Sequence, residues 1–162
     1  MLKTYRIGIY LGVVRVVKYQ QEFLSLAEEE VAPLAHTEWE ESGHPTSTLV
    51  IDWDSYFALE EIGRLKFFTA RKDGILIGYF VVIITSPFTL KGELAGCYEA
   101  VYVDKDHRKS RVAYKLFKFV EACMKEDGVY RLVASSSKKN PIGNFLNRMG
   151  YSEMETKYEK VL

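Results

Sequence analysis

The stretch VYVDKDHRKSRVAYKLFKFVEACMK, residues 101–125, decides how the chain is read. An apolar, strand-like run stops at Asp104. An amphipathic, helix-like run starts near Lys109 and continues to about Asp127, with Gly128 at its end. Between them sit His107, Arg108, Lys109 and Arg111. A helix start is already the positive end of the helix dipole, and a cation there is disfavoured by roughly 0.3–1 kcal/mol. Positive charge crowded onto that end makes sense if the site holds an anion. The first N–H groups of a helix lack intrahelical acceptors, and with the dipole they form a phosphate or pyrophosphate site. Arg108, Lys109 and Arg111 would surround it, and Lys115, on the same helix face as Arg111, could reach the same ligand. The alternative is that Asp104 or Asp106 caps the helix and the basic side chains form a solvated first turn.

Working outward, a strand from about Ala95 to Val103 precedes this helix. Before it, LKFFTARKDGILIGYFVVII (65–84) is a strand, a turn at Lys72-Asp73-Gly74, and a second strand; Asp-Gly between such runs signals a hairpin. TSPFTLKGE (85–93) is a loop. Upstream, Phe23, Leu26, Ala27, Val31 and Leu34 recur at helical spacing, and Pro33 should kink or divide that helix. SGHPTST (42–48) is a loop, and Asp52 or Asp54 can cap a short helix that ends at Gly63. The opening, Tyr5 to Tyr19, reads as one or two strands. Downstream, YRLVAS (130–135) is a strand. NPIGNFLNRMG (140–150) is a short helix with Asn140 as N-cap and Pro141 at its first position, and the tail YSEMETKYEKVL (151–162) alternates weakly, as a half-exposed strand would. The order β-α-α-β-β-β-α-β-α-β predicts a mixed α/β sheet with helices on both faces.

The chain has 162 residues, 48% hydrophobic and 27% charged, which fits one domain over residues 1–162. Its 22 basic and 22 acidic side chains balance, so nothing global favours nucleic acid or an acidic membrane. Cys97 and Cys123 lie in apolar runs without C-x-x-C spacing and read as buried thiols in a reducing, cytoplasmic setting. IGIYLGVV (7–14) has the look of a short signal core, but Arg15 and Lys18 follow with no small-residue cleavage site, which argues against export. His36, His44 and His107 show no metal spacing with either cysteine, so no metal is expected. SSSKKN (135–140) lacks the glycines of a P-loop.

YEAVYVDKDHRKSRVAYKLF (98–117) resembles the central motif of the GNAT N-acetyltransferase superfamily, in which a strand leads into R/Q-x-x-G-x-G/A and a helix. The six positions here are Arg108, Lys109, Ser110, Arg111, Val112 and Ala113; Asn140, Gly150 and Tyr151 match the later part of the pattern. The resemblance implies a GNAT-like acyl-CoA N-acyltransferase fold with a sheet of about six to seven strands. It implies acetyl-coenzyme A as co-substrate, with the pyrophosphate on the backbone of Arg108–Ala113 and the pantetheine arm along a splayed strand at Val101, Tyr102 and Val103. An amine acceptor, on a protein or a small molecule, would attack directly. The departures are plain. The usual glycine at 111 is arginine, and another often found just after the first arginine is Lys109. The tyrosine that many members place four residues before the final glycine is Leu146, which cannot protonate a leaving thiolate. Ser135, Ser136 or water would have to serve.

Glu99 alternates with Val101 and Val103, shares their face unless a bulge intervenes, and is the candidate general base; the alternative is a glutamate at the sheet margin. Tyr98 and Tyr102 alternate to the other face, as packing residues. Trp39, Trp53 and Tyr56, with Glu40, Glu41, Asp52 and Asp54, lie where the superfamily builds its acceptor site, and the acids would suit a cationic amine. The rival functions are a structural or protein-interaction module that has lost catalysis, and a coenzyme A-binding regulator. The C-terminal strand could pair two copies across a two-fold axis. Small size and a degenerate motif would suit a mobile-element or viral protein.

Overall fold

The computed structural model describes residues 16–43, 48–89, 91–139, 141–158 and 160. Five strands form one sheet in the order β1-β2-β3-β4-β5: β1 (Val17–Glu22), β2 (Leu65–Lys72), β3 (Ile75–Thr85), β4 (Leu94–Val103) and β5 (Val129–Val133). The first three pairings are antiparallel and β4–β5 is parallel, so the sheet is mixed as expected but has five strands rather than six or seven. The helices are α1 (Glu28–Ser42), α2 (Trp53–Glu61), α3 (Val112–Glu126) and α4 (Gly143–Arg148).

The central strands read as unbroken apolar runs because both faces are covered. Phe68, Phe80 and Val82 meet Leu116, Val120 and Met124 of α3, together with Leu146 of α4. Phe67, Tyr79, Val81 and Tyr102 meet Leu24 and Val31 below α1 and α2. Asp73 (φ 53°) and Gly74 (φ 85°) both take the left-handed conformation that a two-residue hairpin turn between β2 and β3 requires. Asp52 caps α2 by accepting the Ser55 N–H at 3.1 Å, and Gly63 lets the chain reverse, with the Arg64 N–H returning to the Leu59 carbonyl at 2.8 Å.

Several boundaries differ from expectation, each for a local reason. Residues 23–27 do not join the first helix. Glu60 accepts the N–H groups of Leu24 (2.5 Å) and Ser25 (3.1 Å), which ties them into a 3-10 turn that buries Leu24 and leaves Phe23 and Leu26 exposed. Pro33 does not divide α1: its missing N–H would have met the carbonyl of Glu29, in the first turn, and the helix runs on to Ser42. α4 opens at Gly143 with Ile142 before it, so Pro141 precedes the helix, and Asn140 lies outside the described residues. Among the described residues the tail after Tyr151 forms no strand, and the expected opening strand is found only from Val17, residues 1–15 being outside that range.

α1 is set against the sheet by Arg71 on β2. Its guanidinium is bidentate to Glu22 on β1 (2.8 and 2.9 Å) and to Glu30 on α1 (2.8 and 2.8 Å). Hydrogen bonding to Arg71 holds the Glu22 carboxyl down at about 2. This clamp fixes the helix that later supplies Glu38 and Glu41.

Leu116 is fully buried where α3 crosses the sheet. Leu116→Ala should cost about 2–5 kcal/mol of unfolding free energy in urea titration. A loss below about 1 kcal/mol would contradict this packing.

Candidate active site: an opened strand edge between a basic turn and an acidic cavity

β4 is paired on both sides only in its first half. Its pairing with β5 runs from Leu94↔Val129 to Cys97↔Val133 and stops, while pairing with β3 continues to Val103. Among the described residues no strand covers the β5 side of β4 beyond Cys97. The Asp104 N–H reaches the Ile77 carbonyl at 2.9 Å, which sets the antiparallel phase: Tyr102 and Ala100 bond to β3, and Val101 and Val103 turn their backbone groups to the open side.

A bulge re-aims the middle of this strand. Val81 pairs with Ala100 and Val82 with Tyr98, leaving Glu99 without a partner on β3. The alternation is therefore broken. Glu99 lies with Ala100 on the α1–α2 face, not with Val101 and Val103, and Tyr98 packs on the α3 face, opposite Tyr102.

At the end of the open edge stands the basic turn. Asp104 accepts the Asp106 N–H at 2.9 Å and so caps a 3-10 turn, Lys105–His107, rather than the long helix. α3 begins at Val112, three residues later than expected, so Lys109 to Arg111 precede it. Arg111 stands at its N-cap position without a side-chain cap, and the first turn holds no acid. The Val112 N–H meets Ser110 Oγ at 3.3 Å; among the described residues the N–H groups of Ala113 and Tyr114 meet no backbone carbonyl. Lys109, Arg111 and Lys115 are exposed around these donors. Two of the three guanidinium nitrogens of Arg108 are engaged within the protein. Its Nε donates to the Val103 carbonyl at 2.7 Å, its Nη2 pairs with Glu41 at 2.6 Å, and its guanidinium lies 5.3 Å from the centre of the Tyr102 ring. The donor set therefore fits a pyrophosphate through backbone N–H groups plus Lys109, Arg111 and Lys115, with Arg108 tying the strand end to α1.

On the other side of the bulge lies a cavity of about 200 Å³. Glu38, Trp39, Trp53, Tyr56, Tyr79 and Glu99 line it with polar and aromatic groups, and Leu24, Val31, Leu49, Ile51 and Val81 are among its apolar lining. The Tyr56 hydroxyl donates to Glu99 at 2.9 Å and the Tyr79 hydroxyl to Glu38 at 2.5 Å. The Val101 N–H makes a long 3.4 Å contact with the other oxygen of Glu38. Burial pushes the Glu38 carboxyl above its ordinary value; the bonds from Tyr79 and Val101 oppose this, and the nearby charges of Glu41 and Glu99 add to it. The Tyr56 and Tyr79 hydroxyls are pushed far up, by burial first and by their carboxylate partners next, and stay protonated donors.

Of the residues picked out in the sequence, Glu99, Trp39, Trp53 and Tyr56 converge on this cavity. Glu41 is spent on Arg108, Asp52 caps α2, and Glu40 and Asp54 do not reach the cavity wall. Ser135 is exposed, two residues beyond β5, with Lys157 Nζ 3.5 Å from its hydroxyl. Leu146 is buried in the core. Cys97 and Cys123 are free thiols and only half-buried. Among the described residues no three His, Cys, Asp or Glu side chains cluster as metal ligands, and no helix is long and apolar enough to cross a membrane. Glu38 and Tyr79 escaped the sequence reading, although Val31, Ala35 and Glu38 share one helix face at helical spacing, and Tyr79 alternates with Val81.

The sequence model described as the acetyltransferase (GNAT) family matches residues 23–151. A comparison with curated protein sequences finds no match. Solved structures do match. Ribosomal-protein-alanine N-acetyltransferase from Brucella melitensis biovar Abortus 2308 is similar at 20% identity and TM-score 0.69, over 90% of this chain and 98% of that one. An aminoglycoside acetyltransferase from an uncultured soil metagenomic sample, in complex with sisomicin, is similar at 12% identity and TM-score 0.71, over 90% and 96%. A predicted acetyltransferase with acetyl-CoA from Clostridium acetobutylicum is similar at 14% identity and TM-score 0.70, over 90% and 96%. At such identities these structures speak for the fold, which is the one built above. With the match over residues 23–151, the chain belongs to the acetyltransferase (GNAT) family.

Proposed function

We propose that the protein transfers the acetyl group of acetyl-coenzyme A to an amine by direct attack. The observation that carries this is the polarity of the opened strand edge: basic side chains and free helix N–H groups at one end, two carboxylates in an apolar cavity at the other. A pyrophosphate suits the first and an ammonium the second, and the outward backbone of Val101 and Val103 lies between them.

The chain's own groups divide the work. The Val101 N–H orients the acyl oxygen and stabilises the charge that develops on it. Its contact with Glu38 is long, so giving it up costs little. Glu99, aimed by Tyr56, takes the proton from the incoming ammonium directly or through one water. The freed amine forms the new C–N bond, the C–S bond breaks, and the proton that the nitrogen then carries in excess passes to the departing sulfur, leaving an amide and a thiol. Ser135, beyond the end of β5, is the candidate donor to that sulfur, regaining from the nitrogen, through water, the proton it gives, since Leu146 has none. Holding both reactants on one rigid strand supplies much of the rate.

The direct test is titration calorimetry with acetyl-coenzyme A, followed by thiol release with amine acceptors. Binding and amine-dependent release support the proposal. Binding without release from any amine would favour the coenzyme A-binding regulator instead.

Three variants refine it. Reversing two exposed charges, Arg111→Glu with Lys115→Glu, should weaken acetyl-coenzyme A binding at least about tenfold. Unchanged affinity would remove the pyrophosphate from this turn. Glu99→Gln should slow turnover about 10²-fold at neutral pH with cofactor affinity intact; full activity would remove it as the base. Glu38→Gln should raise the thermal midpoint at pH 8 and change it little at pH 4. The folded Glu38 carboxyl binds its proton more tightly than the unfolded one, so its burial costs nothing at low pH and destabilises as pH rises through the folded value. A variant less stable than wild type at pH 8 would contradict that burial cost.

A further inference from the structure

We propose that the acceptor is a primary amine, bound as its ammonium between Glu38 and Glu99, on a slim apolar stem without phosphate or multiple hydroxyls. This deepens the acetyl-transfer reading and rests on it for the chemistry, though not for the binding.

Charge comes first. Among the described residues, neither Glu38 nor Glu99 has a cationic partner; their contacts are two tyrosine hydroxyls and one backbone N–H. Arg108, at the end of the same strand, is held by Glu41 and the Val103 carbonyl. An ammonium supplies the missing counter-charge, and a phosphorylated acceptor would set its anion beside two carboxylates. Size comes second. A cavity of about 200 Å³ lies below the roughly 300–1,000 Å³ that drug-sized ligands occupy, so it takes one stem rather than several rings. Lining comes third. Leu49, Ile51, Val81 and Trp53 offer carbon and ring faces, and hydroxyls of a sugar set against those faces would lose hydrogen bonds to water. A lysine side chain in a peptide and a free alkyl- or arylalkylamine share the favoured chemistry.

The chain has two tryptophans, Trp39 and Trp53, and both line this cavity, so its intrinsic fluorescence reports occupancy without any turnover. The test titrates the full chain with butylamine, phenethylamine, a lysine-containing peptide, glucosamine 6-phosphate and sisomicin, and then measures thiol release from acetyl-coenzyme A with each. Saturable quenching by the monoamines or by the peptide is expected, and whichever binds tighter identifies the source. Glu38→Gln should weaken that binding about tenfold while the acetyl-coenzyme A affinity holds, and Glu99→Gln serves as the second variant should the first misfold. Glucosamine 6-phosphate or sisomicin binding as tightly as the monoamines would overturn the proposal, as would undiminished amine binding in both variants. Amine quenching without thiol release would leave the acceptor site standing and defeat acetyl transfer. Thiol release with the phosphosugar alone would do the reverse.

Discussion

Among the described residues, β4 keeps a strand partner on one side only beyond Cys97, and the rest of the site follows from that constraint. Unpaired backbone groups at a sheet edge must find partners, in water, in side chains or in a ligand. Here the side-chain answer is partial. Arg108 satisfies the Val103 carbonyl, and Glu38 reaches the Val101 N–H only at 3.4 Å. An extended arm carrying amide groups could add itself to this edge much as a strand would. The bulge at Glu99 sits in the same stretch and turns a carboxylate from the α3 face to the cavity. Opening the edge and re-aiming the acid are thus two consequences of one irregular strand.

The polarity of the opening has a cost on each side. Cations cluster where the helix dipole already disfavours them, and the half-buried Glu38 has hydroxyl and N–H partners rather than a cation. Tyr79 is itself buried and stacks on Tyr102 (6.0 Å), which carries Arg108, which in turn holds Glu41 on α1. Glu38 and Glu41 therefore connect one helix to both ends of the open edge. The Arg71 fork, at the far end of α1, fixes that helix to β1 and β2 and so helps hold Glu38 at the cavity that Glu99 also lines. Local strain in charge placement is accepted because the rigid surroundings hold it.

Much of this was legible in the sequence. Apolar strand-like runs, the Asp-Gly turn, the capping aspartate and the Gly-terminated helices set the element order as far as α4, because each of those signals acts over a few residues. The basic turn before α3 was legible for the same reason. What could not be read depended on partners far along the chain. Glu60 captures Leu24 and Ser25 from 35 or 36 residues away and converts a helical pattern into a tight turn. The bulge at Glu99 has no local signature, and one extra residue moved Glu99 to the face opposite Val101 and Val103 and split Tyr98 from Tyr102. Arg108 looked like a phosphate ligand because Glu41, its partner, lies 67 residues upstream. Glu38 was passed over among neighbouring acids because its distant partners, Tyr79 and Val101, and not its residue type, distinguish it from Glu40 and Glu41.

The most direct test of the account is residue-resolved amide hydrogen exchange, with and without saturating acetyl-coenzyme A. The outward N–H groups of Val101 and Val103 should exchange quickly in the free protein and slow markedly in the complex. The amides of Ala113 and Tyr114 at the start of α3 should slow with them. Tyr102, already paired with β3, should change little. Binding that leaves Val101 and Val103 unprotected would contradict the opened edge of β4 as the place where the co-substrate lies.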